Sequence, residues 1–247
     1  MSRDKLSSDS LREATRSRAE YSGHGDAIGS AGYREGRTIG MGDCESLSEA
    51  GQTKAVNAPE NGFGPIHIGL SWNNVVTEKA GFFDRLLKKA LQVGVDLDLG
   101  CLYELKNGER GCLQSFGEKF GDYNTAPFIA LSGDERTGDA EGDDEVLRIN
   151  GPKWGEIERV LVYCYIYRGP TQWHQIQPNL SIAMSGEMPV RITPTTHRDD
   201  VNIVALAKIE NTRGGLTITN HTEYFHDHAA MDRAFGFGIE WGDGHKK

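Results

Sequence analysis

From Ile66 onward the chain alternates apolar and polar residues in short runs. IHIGLSW (66–72), VDLDLGCLYEL (95–105), RGCLQSFG (110–117), FIALSG (128–133) and EVLRIN (145–150) carry the pattern first. RVLVYCYIY (159–167), LSIAMS (180–185), PVRITPT (189–195), VNIVALAKIE (201–210) and LTITNHTEYF (216–225) continue it. A period of two sends successive side chains to opposite faces, as in strands. Turn sequences such as KNGE (106–109) and TRGG (212–215) separate the runs. About ten such strands with few helices predict an all-β fold, an antiparallel β-sandwich. Two stretches read otherwise. GFFDRLLKKALQ (81–92) is a short amphipathic helix or an irregular loop, and HDHAAMDRAFGFG (226–238) is a short C-terminal helix ending at glycines.

The period also assigns faces. Val95, Leu97, Leu99 and Cys101 share one face of their strand, and Asp96 and Asp98 share the other. Two neighbouring carboxylates on one face repel unless something positive lies between or above them. In RVLVYCYIY, Val160, Val162, Cys164 and Ile166 face one way and Leu161, Tyr163, Tyr165 and Tyr167 the other. Both faces are fairly apolar, which predicts a central strand covered on both sides.

Residues 1–60 have a different texture. They are Ser, Gly, Ala and charge, with eight Lys/Arg and ten Asp/Glu and almost no Val, Ile, Phe or Trp. Such a stretch buries too little apolar surface to offset its ordering entropy. It reads as a disordered tail, with a nascent helix over Ser8–Tyr21, ahead of a domain spanning 61–247.

Composition narrows the function classes. The 247 residues are 37% hydrophobic with a net charge of −9 and a pI near 5.4. Nucleic acid and anionic lipid want a basic face, so neither is an expected general partner. No apolar run reaches the length of about 20 residues that a membrane helix needs. The N-terminal MSRDKLSSDSLREATRSRAE lacks the apolar core of a secretory signal. A cytoplasmic protein is expected, with peripheral membrane association left open. Cys44, Cys101, Cys112 and Cys164 form no CxxC pair, and the last three lie in strand-like runs as small buried hydrophobes.

The densest chemistry is SGDERTGDAEGDDEVLRIN (132–150). Seven acidic residues and one arginine fall between Asp134 and Glu145, in a link between two strands. Most acidic runs are solvated turns. This one is rich in glycine, with Gly133, Gly138 and Gly142 free to turn carbonyls inward. Calcium takes six to eight oxygens, from carboxylates, carbonyls and water. The twelve residues begin with Asp and end with Glu, like an EF-hand loop, but Arg136, Gly138 and Asp139 occupy its third, fifth and sixth positions and no helices flank it. The reading is an acidic link that, with Asp96 and Asp98, could supply a site for one or two hard cations.

GVDLDLGCLYEL, FIALSGDERTGDAEGDDEVLRIN and RVLVYCYIY together resemble the TerD superfamily of tellurium-resistance and stress-response proteins. EYFHDHAAMDRAFGFGIEW resembles its TerA-like branch in particular. The resemblance covers roughly residues 65–243, and its most specific parts are the DLD strand and the GDxRTG…GDDE loop. It implies a calcium-binding β-sandwich, without firmly attached catalysis, acting in tellurite, phage and colicin resistance alongside other proteins of the same system. By position it implies Asp96, Asp98, Asp134, Asp143, Asp144 and Glu145 as side-chain ligands, with Arg136 and Thr137 contributing backbone carbonyls. The loop departs from the family's GDN or GDD by reading Gly133-Asp134-Glu135.

Other candidates weigh less. His221, His226 and His228 could form a zinc set, but His226 and His228 would point apart at a helix start. Glu156 and Glu158 precede a strand with nothing to position a substrate. Trp72, Trp154, Trp173 and Trp241 could stack on sugars, although tryptophan in a sandwich is more often core. Two functions follow: a non-enzymatic calcium-binding scaffold or sensor, and a calcium-dependent carbohydrate- or ligand-binding module.

Overall fold

A computed structural model describes residues 43–78, 91–132 and 145–241. Its strands are β1 (Glu45–Ser46), β2 (Thr53–Asn57), β3 (Ile66–Ser71), β4 (Val75–Glu78), β5 (Leu91–Gly94), β6 (Asp96–Leu105), β7 (Arg110–Gln114) and β8 (Gly121–Asp122). They continue with β9 (Ile129–Leu131), β10 (Glu145–Ile149), β11 (Ile157–Arg168), β12 (Asn179–Met184), β13 (Val190–Ile192), β14 (Ile203–Thr212) and β15 (Gly215–Phe225). Among the described residues two α-helices accompany them, α1 (Trp173–Ile176) and α2 (His228–Phe235), with a 3-10 turn over Gly151–Glu156. All ten runs read from the alternation are strands.

Two sheets make an all-β sandwich. One has seven strands in the order β1-β13-β12-β3-β10-β9-β8, and the other six in the order β2-β15-β14-β11-β6-β7. All pairings are antiparallel except β1 with β13. β4 and β5 form a separate two-stranded arm. Leu97, Leu99 and Cys101 of β6 and Val160, Val162 and Cys164 of β11 enter the core between the sheets. Leu102, Leu161, Tyr163 and Tyr165 form a second cluster on the outer face, beneath α2. β11 is thus covered on both faces, which is why neither of its alternating sets is polar. The β6–β7 hairpin turns at Asn107-Gly108, where Gly108 has φ +88° and the Asn107 side chain accepts from the Glu109 N–H.

The strands correct the predicted boundary at residue 60. β1 and β2 lie inside the stretch assigned to the tail, and Leu47 and Val56 are buried. β2 is mostly polar because it is an edge strand with one inward residue, so its single Val56 gave no run to read. Residues 1–42 lie outside the described residues. So do 79–90, which hold most of the 81–92 candidate, and its last two residues, Leu91 and Gln92, open β5 instead. Among the described residues no helix is long and apolar enough to cross a membrane.

α2 is the predicted C-terminal helix. Asp227 caps it, accepting from the Ala230 N–H at 2.6 Å, and Gly236 ends it in the left-handed region. Glu104 and its cross-strand neighbours Arg110 and Arg159 form a row on the outer sheet face. Arg159 donates to the Phe235 and Gly236 carbonyls, each at 2.8 Å, and lies 4.2 Å from the Phe237 ring centroid. Arg110 donates to the Phe237 carbonyl at 2.9 Å. Two cations therefore hold the negative end of the helix dipole against the sheet.

Candidate functional site

Asp98 sits directly opposite Tyr165 in the β6–β11 ladder. Register alone brings the pair together, since both side chains project from the outer face. The Tyr165 hydroxyl donates to Asp98 Oδ2 at 2.5 Å, at the short end expected for a charge-assisted O–H···O⁻ bond. Asp98 is 3% exposed. Asp96, two residues earlier, is half-buried at the strand start, opposite Arg168.

Glu145 arrives from the other sheet. It opens β10, opposite Leu70 of β3, and its carboxylate accepts the Leu99 N–H. The β6–β7 ladder begins at Gly100 and Gln114, so Leu99 lies one residue past its end. Glu145, 6% exposed, supplies an acceptor where β7 has stopped. Burial first, then Asp98, then Glu145 push the Tyr165 phenol far above its usual range. Burial and then Glu145 raise the Cys164 thiol. The fields of both carboxylates thus meet around neighbouring residues of β11.

The acidic link starts from the same place. Ser132 and Val146 hold its two ends: the Ser132 N–H donates to the Val146 carbonyl at 2.7 Å, and the Val146 N–H to Ser132 Oγ at 3.0 Å. Asp134, Arg136, Thr137, Asp139, Asp143 and Asp144 fall within 133–144, outside the described residues. Among the described residues no group of three or more His, Cys, Asp or Glu could hold a metal ion. The donors brought to this rim are carboxylate oxygens, the type a hard cation takes. Asp98 and Glu145, with Asp96 at the edge, make fewer donors than calcium's six to eight.

The other sequence candidates separate. His226 is exposed, the His221 ring packs on Phe235, and His228 is boxed by Tyr163, Tyr165 and Trp241. Burial lowers the pKa of both His221 and His228. Glu158 pairs with Lys106 at the surface. All four indole N–H groups are spent inside the protein, on Val95 O, Gly215 O, Val201 O and Asp232 Oδ2, so the tryptophans are structural. Burial raises Cys101, Cys112 and Cys164 alike, to about 11 for Cys112.

Sequence reasoning missed Asp232. It lies within α2, yet is 3% exposed and accepts from Gly238 N, Ile239 N and Trp241 Nε1 at 2.8, 2.8 and 2.9 Å. The signal was the glycine-rich FGFG after the helix, whose freed backbone N–H groups need an acceptor.

The chain matches no protein-family model. It is 33% identical over 205 residues to a tellurium resistance protein TerA from an Alcaligenes species. The match takes in 81% of this chain and 59% of that relative, so the chain spans about three-fifths of the relative's length. A crystal structure described as a protein of unknown function aligns with a TM-score of 0.46 and 16% identity, over 72% of this chain and 99% of that one. Over the matched 205 residues, this β-sandwich chain is similar to that TerA relative.

Proposed function

We propose that the chain is a calcium-responsive binding protein with a role in tellurium resistance, acting as a scaffold or sensor and not as an enzyme. The resistance role is taken from the name of the TerA relative. One observation supports the cation reading above the rest. Asp98 and Glu145 are both buried, and Glu145, which opens β10 just after the acidic 133–144 link, accepts the N–H of Leu99, the residue after Asp98. Carboxylates gathered in a low-dielectric rim favour a bound cation, which turns their mutual repulsion into attraction. Asp98 and Glu145 would hold the ion from the sandwich, with Asp96, Asp134, Asp143, Asp144 and the Arg136 and Thr137 carbonyls completing the set. The ion's contribution would be electrostatic, offsetting the repulsion among these carboxylates. The chain's own residues orient the carboxylates, Tyr165 for Asp98 and Leu99 for Glu145. The net charge of −9 disfavours direct capture of an oxyanion, so resistance would run through other proteins of the same system. Isothermal titration of calcium into the full chain tests this. Saturable binding that weakens in Asp98→Asn supports it, and absence of heat at millimolar calcium removes it.

A further inference from the structure

The outer face of the six-stranded sheet carries an aromatic stack that starts at the candidate cation site and ends at the C-terminal segment. Tyr165 is its first member. Its hydroxyl donates to Asp98 Oδ2, and its ring is buried. The His228 ring meets Tyr165 edge-on at 5.4 Å and Tyr163 at 5.3 Å. Trp241 lies 5.4 Å beyond His228, tilted by 32°, and its indole N–H is anchored on Asp232. Tyr163 cannot retreat into the sheet, since its ring sits directly over Gly100, where a Cβ would come within 2.5 Å of it. Its hydroxyl is engaged by Cys112 and Gln114.

His228 is the loose joint in this stack. Its Nε2 is buried with no hydrogen-bond partner. Aromatic rings hold the imidazole, and a buried polar atom left unmade opposes that seating. A small opening of the stack would let water reach Nε2. The seat is therefore balanced between ring packing and desolvation, so a small push at either end can shift it.

We propose that Tyr165 is a positioning residue for the Asp98 carboxylate and that, through His228, it couples cation binding at the rim to the seating of α2 and Trp241. The proposal rests on the cation reading above. A cation on the Asp98 carboxylate re-aims it while Oδ2 keeps the Tyr165 hydroxyl, since a carboxylate has lone pairs for both. The phenol moves with the carboxylate, and its ring carries the change to His228. Linkage makes the coupling reciprocal: loosening the stack must change cation affinity by the factor by which the cation changes the stack.

The test uses the full chain, calcium chloride, calorimetry and tryptophan emission. Calcium should shift the emission, and Trp241→Phe should abolish the shift, which assigns it against Trp72, Trp154 and Trp173. Tyr165→Phe removes only the hydroxyl, and should raise the calcium Kd by about tenfold or more, as loss of a partner behind a metal ligand does. It should also silence the Trp241 response. His228→Leu, which touches no carboxylate, should change the calcium Kd by about fivefold, so a poorly folding Tyr165 variant leaves a second route. Calcium binding with unchanged Trp241 emission overturns the coupling alone, as does a Kd within about twofold of wild type in either variant. A wild-type chain that binds no calcium overturns the cation reading and the coupling with it.

Discussion

Asp98 and Asp232 are equally buried, each 3% exposed, yet they are satisfied in opposite ways. Asp232 takes all three of its donors from the next nine residues of its own segment. Asp98 takes a donor from Tyr165, 67 residues away, and Glu145 takes one from Leu99 of the facing sheet, 46 residues away. A carboxylate that closes its own loop is a fastener, saturated as soon as the local turn forms. A carboxylate whose partner arrives by tertiary register sits where the fold places it, here at a rim beside an acidic link. In the proposed reading Asp232 is the structural acid and Asp98 the site acid, and the origin of their donors separates them where burial does not.

The largest effect should come from the fastener. Asp232→Ala strands two backbone N–H groups and an indole N–H, at about 1–3 kcal/mol for each buried donor left unmade. Urea unfolding should show a loss of about 3 kcal/mol or more, with Trp241 emission moving to the red. Asp98→Asn keeps an oxygen for Tyr165 and should cost far less, or raise the metal-free melting temperature by relieving repulsion. If the two variants fall equally in stability, the contrast is wrong.

The rim acids should instead reveal themselves through calcium. An ion bound only by the folded state adds about 2.7 kcal/mol at roughly one hundred times its Kd. The melting temperature should rise with calcium and fall with EGTA, and magnesium should do less because it sheds water reluctantly. Asp98→Asn and Asp144→Asn should each blunt the rise. An intact response in both variants would remove these carboxylates from the site.

A smaller effect lies between the regions, at His228. Burial lowers its folded pKa below the 6.5 of the free side chain, against a weaker opposite pull from Asp227. The unfolded chain then binds the proton more readily, so the folded state is favoured fully above about pH 6.5 and loses that advantage as pH falls toward the folded value. Wild type should lose more stability than His228→Phe between pH 7 and 5. His67 and His221 are shifted the same way, but they are present in both proteins and cancel. Equal losses would show that the ring is not held neutral.

The smallest readout is thiol labelling. Cys44 is partly exposed while Cys101, Cys112 and Cys164 are buried. A chromogenic disulfide should react quickly with one thiol per chain and with the others only on unfolding. Fast reaction of two or more would mean the six-stranded sheet opens readily.

What could be read beforehand follows from how each element announces itself. β6 and β11 bury one or both faces over ten or more residues, and alternation of that length is unmistakable. β1 and β8 are two residues long, too short for a period to register, and Leu91 and Gln92 of β5 are absorbed into the amphipathic 81–92 pattern. Asp98 was visible because DLD puts two like charges on one strand face. Its partner Tyr165 was not, because the pairing depends on a strand register that sequence spacing does not contain. Asp232 was hidden for a third reason: a polar residue within a helix reads as solvent-facing unless the fate of the following backbone N–H groups is traced.

The early edge strands carry a consequence for how the chain is made. Val56 of β2 pairs with Leu216 of β15, and Glu45 of β1 with Val190 of β13. During synthesis at about 5–20 residues per second, Val56 precedes its partner from the ribosome by about 8–32 s. Through that interval β3, β6, β7 and β10 can find one another, while residues 45–57 must wait for strands not yet translated. They are thus out early and home late, and a nascent chain stalled before Leu216 would carry an unpaired β2 with a buried-type valine exposed.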